Sequence, residues 1–114
     1  MKNYERLLYN YADGIGSLRE RIEEGDWWED PYTYEELFVD IDWLAPARIA
    51  LENVAPKKIK ERIRELDNEL LKIAKILSEK DPYAWKYLAK SLGDIIPQLR
   101  HPSQEKKAET VAKS

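Results

Sequence analysis

Apolar residues recur at three- and four-residue steps along most of the chain, the spacing of one buried face of an α-helix. The first such stripe runs over residues 4–22 and predicts a first helix. Gly14 and Gly16 each cost about 1 kcal/mol in a helix interior, and Ser17 with Glu20 forms a capping box. We therefore expect one helix with a bend or break near Gly14–Gly16. Its apolar positions are Tyr4, Leu7, Leu8, Tyr11, Ile15, Leu18 and Ile22.

Residues 25–32 have turn formers at both ends and no helical stripe, which predicts a loop. Thr33 is a suitable N-cap and Glu36 completes a second capping box, so the second helix is expected to begin there. Pro46 removes a backbone donor and clashes with the preceding turn, so it predicts a kink or an end, with helix resuming over residues 47–54. The apolar stripe of this helix is Tyr34, Leu37, Phe38, Ile41 and Leu44 or Ala45.

Pro56 suits the first position of a third helix, where its missing N–H is no loss. The apolar residues that follow alternate four- and three-residue steps, as in a heptad seam: Ile59, Ile63, Leu66, Leu70, Ile73 and Leu77. Asp81 followed by Pro82 is a cap with a first-turn proline, and it predicts the start of a fourth helix. That helix is expected to continue past Pro97, with apolar positions Trp85, Leu88, Leu92, Ile95 and Leu99.

These elements predict an all-α protein, a compact bundle of four main helices with breaks near Gly14–Gly16 and Pro46. A chain of 114 residues has the size of a single domain. We assign residues 1–101 to this domain. Residues 102–114 carry almost no large apolar group, so they predict a flexible C-terminal tail.

Composition removes several classes of function. The chain has no cysteine, which excludes thiolate metal sites and cysteine nucleophiles, and its only histidine is His101. A net charge of −3 argues against binding to DNA or RNA. The N-terminus is charged where a signal peptide is apolar, and no run of about 18 apolar residues occurs. We therefore expect a cytoplasmic protein that does not bind membranes.

The segment from Glu23 to Asp42 holds nine acidic residues and no Lys or Arg. One interpretation is a solvated face whose acids also favour helix N-termini. The other is a site for a hard cation such as Mg²⁺, because Glu36 and Asp40 are four residues apart and share a helix face.

A second acidic row on the third helix includes Glu65 and Glu69, and ordinary ion pairing with neighbouring basic residues is the alternative explanation. Asp94 lies among apolar residues, after a glycine that permits close backbone approach. Together with Glu36 and Asp40, these residues are the candidate metal ligands.

The sequence Leu92-Gly93-Asp94-Ile95-Ile96 resembles the start of the Glu-Leu-Gly-Asp helix of the all-α NTP pyrophosphatases, which include MazG-like and phosphoribosyl-ATP pyrophosphatase enzymes. In that family an upstream Glu-x-x-Glu helix completes a Mg²⁺ site. Here Glu65 and Glu69 stand upstream, four apart rather than three, and Ser91 replaces the first Glu of the second motif. An alternative alignment places residues 35–40 on that motif. The resemblance implies a divergent enzyme that hydrolyses a nucleoside triphosphate to monophosphate and pyrophosphate.

Aromatic and basic residues near these acids extend the nucleotide hypothesis. Trp27 and Trp28 offer rings on which a base can stack, and Lys57 and Lys58 can meet phosphates. A loop clamped over the bundle, or an interface with another subunit, explains the aromatics equally well. The lysines are otherwise simply solvated.

Two functional hypotheses follow. One is a Mg²⁺-dependent nucleoside triphosphate pyrophosphatase. The other is a non-catalytic helical interaction module that self-associates or binds a basic partner. A homodimer fits both, because two-fold symmetry is the commonest way for a small bundle to cover an apolar stripe.

Overall fold

The computed structural model describes residues 3–54 and 57–102, and within them the chain forms four α-helices, a short 3-10 helix and no strand. The predicted all-α bundle is confirmed. The prediction for Pro56 lies outside the described residues, and so does the predicted flexible tail of residues 102–114 apart from Pro102, which is buried. The helices are α1 (Asn3–Glu24), α2 (Pro31–Val54), α3 (Lys57–Lys80) and α4 (Pro82–Leu92), and the 3-10 helix is Pro97–Arg100.

The helices form a flat arrangement of 42 × 40 × 21 Å, about two helix diameters thick. α1 packs against α2 and α3, and α4 packs against the same two helices. α2 and α3 follow each other directly in the chain, yet their described backbones do not pack together. α1 and α4 therefore connect α2 and α3, since each of them contacts both. None of the helices in the described ranges is long and apolar enough to cross a membrane.

The predicted apolar stripes form one continuous core. The seam of α3 is buried from Ile63 to Leu77, as the heptad pattern predicts, and Ile59 is partly buried at its start. The largest fully buried side chains come from all four helices and the loop after α1: Tyr11, Ile15, Leu18, Trp27, Leu37, Ile41, Leu44, Leu51, Leu70, Leu77, Leu88 and Leu92.

The expected break near Gly14–Gly16 is absent, since α1 is continuous. Core residues lie on both sides of the glycines, so one unbroken helix buries them together. Gly14 also has a packing role. A Cβ atom at this position would lie 2.7 Å from Leu44 Cδ2, so the glycine allows α2 to approach α1 closely.

The expected break at Pro46 is also absent, since α2 continues to Val54 with the proline inside it. An interior proline costs about 3 kcal/mol. Leu44 and Leu51, on either side, are fully buried on the same helix face. Burying each contributes roughly 1.5–3 kcal/mol, so together they offset the cost of the proline.

α2 begins at Pro31 instead of Thr33, so the predicted cap is wrong. Asp30 accepts hydrogen bonds from the Tyr32 backbone N–H and from Thr33 Oγ1. This is the same Asp-Pro pattern that opens α4, where Asp81 accepts from the Ala84 backbone N–H as predicted. An aspartate followed by proline supplies both the capping acceptor and the fixed φ of a first turn.

α4 ends at Leu92, so the prediction that it continues through Leu99 is wrong. The chain turns over Gly93–Ile95 and resumes as the 3-10 helix at Pro97. Pro97 lacks the N–H that a continuing helix needs, and it disfavours helical geometry in the preceding residue. Trp85 Nε1 donates to the Leu99 carbonyl oxygen at 2.8 Å, which holds the 3-10 helix on the bundle.

We expect Gly93→Ala to lower the free energy of unfolding by about 1–3 kcal/mol, the usual effect of overpacking. A Cβ at Gly93 would lie 2.2 Å from the Ala89 carbonyl oxygen and 2.6 Å from Arg100 Nε. Gly16→Ala is the matched control, because nothing lies within 4 Å of its added Cβ and alanine is the better helix former. Urea unfolding measures both. Equal effects of the two substitutions would contradict this account of Gly93.

Candidate functional site

Glu36 and Asp40 lie on one face of α2, as their spacing predicts, but both face a cation of the protein itself. Arg21 of α1 reaches Glu36 Oε2 with Nη2 at 3.1 Å and Asp40 Oδ2 with Nε at 3.2 Å. The arginine side chain is only 19% exposed. In this structure an internal guanidinium occupies the space between the two carboxylates.

The other candidate ligands lie apart and also have basic partners. Glu65 pairs with Arg62 three residues earlier on α3, the ordinary surface pairing that was the alternative explanation. Glu69 pairs with Arg19 of α1. Asp94 is 90% exposed and pairs with Arg100. Across residues 3–54 and 57–102, no three acidic or histidine side chains are grouped so that they could hold a metal ion.

The environment of Asp40 shifts its titration. Burial raises the pKa of Asp40 above its ordinary value, and the opposing effect of Arg21 only partly offsets this. The negative charge of Glu36 raises the pKa further. The carboxylate of Asp40 is therefore harder to ionise in the folded protein than in the unfolded chain.

The proposed nucleotide-binding residues are not equivalent. Trp27 is 1% exposed, and its Nε1 donates to Asp81 Oδ2 at 3.2 Å, so its ring is not open for a base to stack on. Trp28 is 49% exposed and packs edge-on against Trp27. Lys57 and Lys58 are exposed at the start of α3. Trp27 clamps the loop over the bundle, which was the alternative explanation for the aromatics.

A largely buried polar cluster joins α1, α2 and α3. Arg48 of α2, only 6% exposed, donates through Nε and Nη2 to the two carboxylate oxygens of Asp67 on α3, at 3.0 and 2.9 Å. Tyr11 of α1 donates its hydroxyl to Asp67 Oδ1 at 2.5 Å. The remaining Nη1 of Arg48 donates to Glu52 at 2.7 Å. Sequence patterns missed this cluster, although Arg48 is the only basic residue of α2.

The cluster perturbs the titration of its members. Burial, and then the charge of Asp67, raise the pKa of the Tyr11 hydroxyl well above its ordinary value. Burial alone would lower the pKa of Arg48, but its hydrogen bonds to Asp67 and Glu52 outweigh this and raise it. The guanidinium is therefore charged, and Tyr11 is protonated, at any physiological pH.

Two open depressions flank α2. One is a groove of about 410 Å³ between α1 and α2, and it contains Asp13, Gly14, Asp40, Trp43 and Pro46. The other is a cavity of about 360 Å³ between α2 and α3, with the Arg48–Asp67 pair in its wall. The groove is acidic and aromatic, whereas the cavity is lined by three basic residues and two carboxylates.

We expect Asp67→Ala to lower the free energy of unfolding by about 3–5 kcal/mol, because it leaves the buried Arg48 without its bidentate partner. The triple substitution Tyr11→Phe, Arg48→Met and Asp67→Leu should restore most of that loss by replacing the cluster with apolar contacts. Glu65→Ala, which breaks an exposed pair on the same helix, should change stability by less than about 0.5 kcal/mol. Urea unfolding measures all three variants. A triple variant less stable than Asp67→Ala would contradict this account.

The raised pKa of Asp40 predicts a specific pH dependence. A carboxyl group whose folded pKa is raised contributes stability at low pH and loses it as pH rises through the folded pKa. The free energy of unfolding of wild type minus that of Asp40→Asn should therefore fall as pH rises above 3.8, the ordinary value. Ser17→Ala, in the same groove, removes no titratable group and keeps a constant difference. Denaturant titrations from about pH 3 to 7 test this, and a rising difference would contradict it.

Comparison with known proteins found no matching family model, no matching curated protein and no matching solved structure. The resemblance to the all-α NTP pyrophosphatases stays a prediction. Its Leu92-Gly93-Asp94 segment lies at the end of α4 and in the following turn, whereas the motif was expected to open a helix. The functional argument therefore depends on the groove, the cavity and the buried cluster of this chain.

Proposed function

We propose that this protein is a non-catalytic helical interaction module that binds a basic partner in the groove between α1 and α2. The observation that carries this proposal is Trp43, which is 72% exposed and borders a groove containing two carboxylates. An exposed tryptophan beside an acidic depression suits a lysine or arginine side chain presented by another protein.

The groove combines an apolar surface with unbalanced negative charge. Leu7, Trp43 and Pro46 provide apolar surface, and Asp13 and Asp40 provide carboxylates. Asp40 is bound by Arg21, but Asp13 forms no ion pair with any described residue. No Lys or Arg is among the residues that line the groove. Its charge is therefore available to a cation from outside.

Trp43 has the chemistry of an anchor residue. Tryptophan is enriched among the interface residues that dominate binding energy. A lysine or arginine placed over its ring gains roughly 0.5–2 kcal/mol from the cation–π interaction, with more at a desolvated site. A partner cation between Trp43 and Asp13 would use the ring and the carboxylate together.

α2 is apolar on more than its core face. Leu37, Leu44 and Leu51 face the core, whereas Val39 is 45% exposed and Ile49 is 46% exposed. Val39 and Trp43 are four residues apart and therefore share one face of the outer surface, whereas Ile49, six residues after Trp43, lies on a different side of the helix. A helix that is apolar around its circumference is usually buried, and here part of that surface is not covered.

Charge favours a basic partner over a second copy of the chain. α2 carries five acidic residues and one arginine, and that arginine is buried. Two α2 surfaces brought together would therefore place like charges near each other, whereas a basic amphipathic helix would complement them. The homodimer stays a prediction, and sedimentation of the protein without peptide, described below, tests it.

We expect a lysine- and leucine-containing amphipathic peptide of about 18 residues to bind, and a glutamate- and leucine-containing peptide of the same pattern not to bind. Trp43→Ala should weaken binding at least about tenfold, as for an interface anchor. Asp13→Asn should weaken binding less and reduce its dependence on salt. Fluorescence anisotropy of labelled peptides measures these effects.

Tyr83→Ala is the matched control, because Tyr83 is 70% exposed but lies on α4 outside the groove. Equal binding of the two peptides, or equal effects of Trp43→Ala and Tyr83→Ala, would overturn the proposal. Sedimentation of the protein without peptide tests whether two copies of the chain associate. Self-association that Trp43→Ala abolishes would identify a second copy, instead of a basic partner, as the occupant.

The Mg²⁺-dependent nucleotide pyrophosphatase is the competing hypothesis. In the structure described, Mg²⁺ at Glu36 and Asp40 would have to displace Arg21. Thermal unfolding with Mg²⁺ and a panel of nucleoside triphosphates, compared between wild type and Asp40→Asn, tests it directly. An upward shift of the midpoint that depends on Asp40 and on Mg²⁺ would favour the enzyme over the interaction module.

A further inference from the structure

The cavity between α2 and α3 is a separate site from the groove, and its properties do not depend on the proposed function. It is lined by the C-terminal half of α2, by α3 and by the segment Ile95–Gln98. Its volume of about 360 Å³ lies within the range of small-molecule pockets. Ile63, Leu71 and Ile96 give it an apolar wall.

Some charged residues of the cavity already have an ionic partner, and others do not. Arg48, Lys60 and Arg64 are its cations, and Glu52 and Asp67 are its carboxylates. Asp67 is fully used, because both of its oxygens bind Arg48 and one also accepts from Tyr11. Lys60 and Arg64 form no ion pair with any residue in the described ranges. Asp67 thus balances Arg48, and Glu52 is the other carboxylate that lines the cavity beside Lys60 and Arg64.

Arg48 presents two different edges. Asp67 and Tyr11 fix the edge formed by Nε and Nη2 inside the bundle. Nη1 forms the other edge and binds Glu52, whose side chain is 60% exposed. An exposed side chain holds its partner only weakly, because water and other anions compete for the same contact. The outer edge of Arg48 is thus held in position to bind an anion, and in this structure the carboxylate of Glu52 takes the place of that anion.

We propose that this cavity binds a small organic anion, with a carboxylate or phosphate head group and a short aliphatic chain, that displaces Glu52 from Arg48. The head group accepts from Nη1 of Arg48 and pairs with Lys60 and Arg64. The chain lies against Ile63 and Ile96. Arg48 is held in position by Asp67 and Tyr11, so the protein does not reorganise a buried charge when the anion binds.

Glu52 makes the proposal testable, because its charge should compete with the ligand. Hexanoate and hexyl phosphate are suitable probes, and acetate and inorganic phosphate are the matched probes with a short or no aliphatic chain. Isothermal titration calorimetry on the full chain measures their affinities. Glu52→Gln should bind the matching probe about tenfold more tightly than wild type, the effect of removing one competing charge-assisted hydrogen bond. The double variant Lys60→Ala and Arg64→Ala should bind the same probe at least about tenfold more weakly than wild type.

Glu65→Gln and Lys72→Ala are controls, because these exposed residues of α3 lie outside the cavity. Tighter binding of hexanoate than of acetate, or of hexyl phosphate than of phosphate, would support the apolar wall and identify the preferred head group. If none of the four probes binds, or if Glu52→Gln and Glu65→Gln change affinity equally, the proposal fails. Lys60, Arg64 and Glu52 are all exposed, so circular dichroism should show that their variants keep the fold.

Discussion

The buried guanidinium of Arg48 is the constraint on which the arrangement of three helices depends. A charge inside the bundle is tolerated only if its donors are matched, and here Asp67 matches two of them with bidentate geometry. Because the described parts of α2 and α3 do not pack directly, this pair is a side-chain bridge across the space between them. Tyr11 brings α1 to the same carboxylate. The cluster therefore joins α1, α2 and α3 at one carboxylate.

Periodicity predicted the helices well where one local signal acts alone. The heptad pattern correctly predicted the buried seam of α3, and the Asp-Pro capping pattern correctly predicted the start of α4 at Asp81–Pro82. The predicted helix breaks were wrong where the local free-energy cost of a residue in a helix is opposed by tertiary packing. Pro46 and the glycines of α1 weaken a helix locally, but the buried residues on either side stabilise the continuous helix.

The acidic residues show a different limit of sequence reasoning. The spacing of Glu36 and Asp40 correctly placed them on one face, but their partner is Arg21, 15 and 19 residues earlier on another helix. Arg19 and Glu69, which are 50 residues apart, meet in the same way. A single sequence contains no signal for such pairings, because they depend on how the helices cross. The same applies to Arg48 and Asp67, which no motif connects.

The two depressions beside α2 show why a net charge of −3 says little about local binding chemistry. Acidic residues are concentrated before and within the first half of α2, and Lys60 and Arg64 lie at the start of α3. Of these acidic residues Asp40 lines the groove, together with Asp13 of α1, whereas Lys60 and Arg64 both line the cavity. α2 can border both because they lie on different sides of the helix. Asp40, Trp43 and Pro46 line the groove, whereas Arg48, Leu51 and Glu52 line the cavity. A basic partner and an anionic ligand are thus complementary to different faces of one helix, and neither needs the surface used by the other.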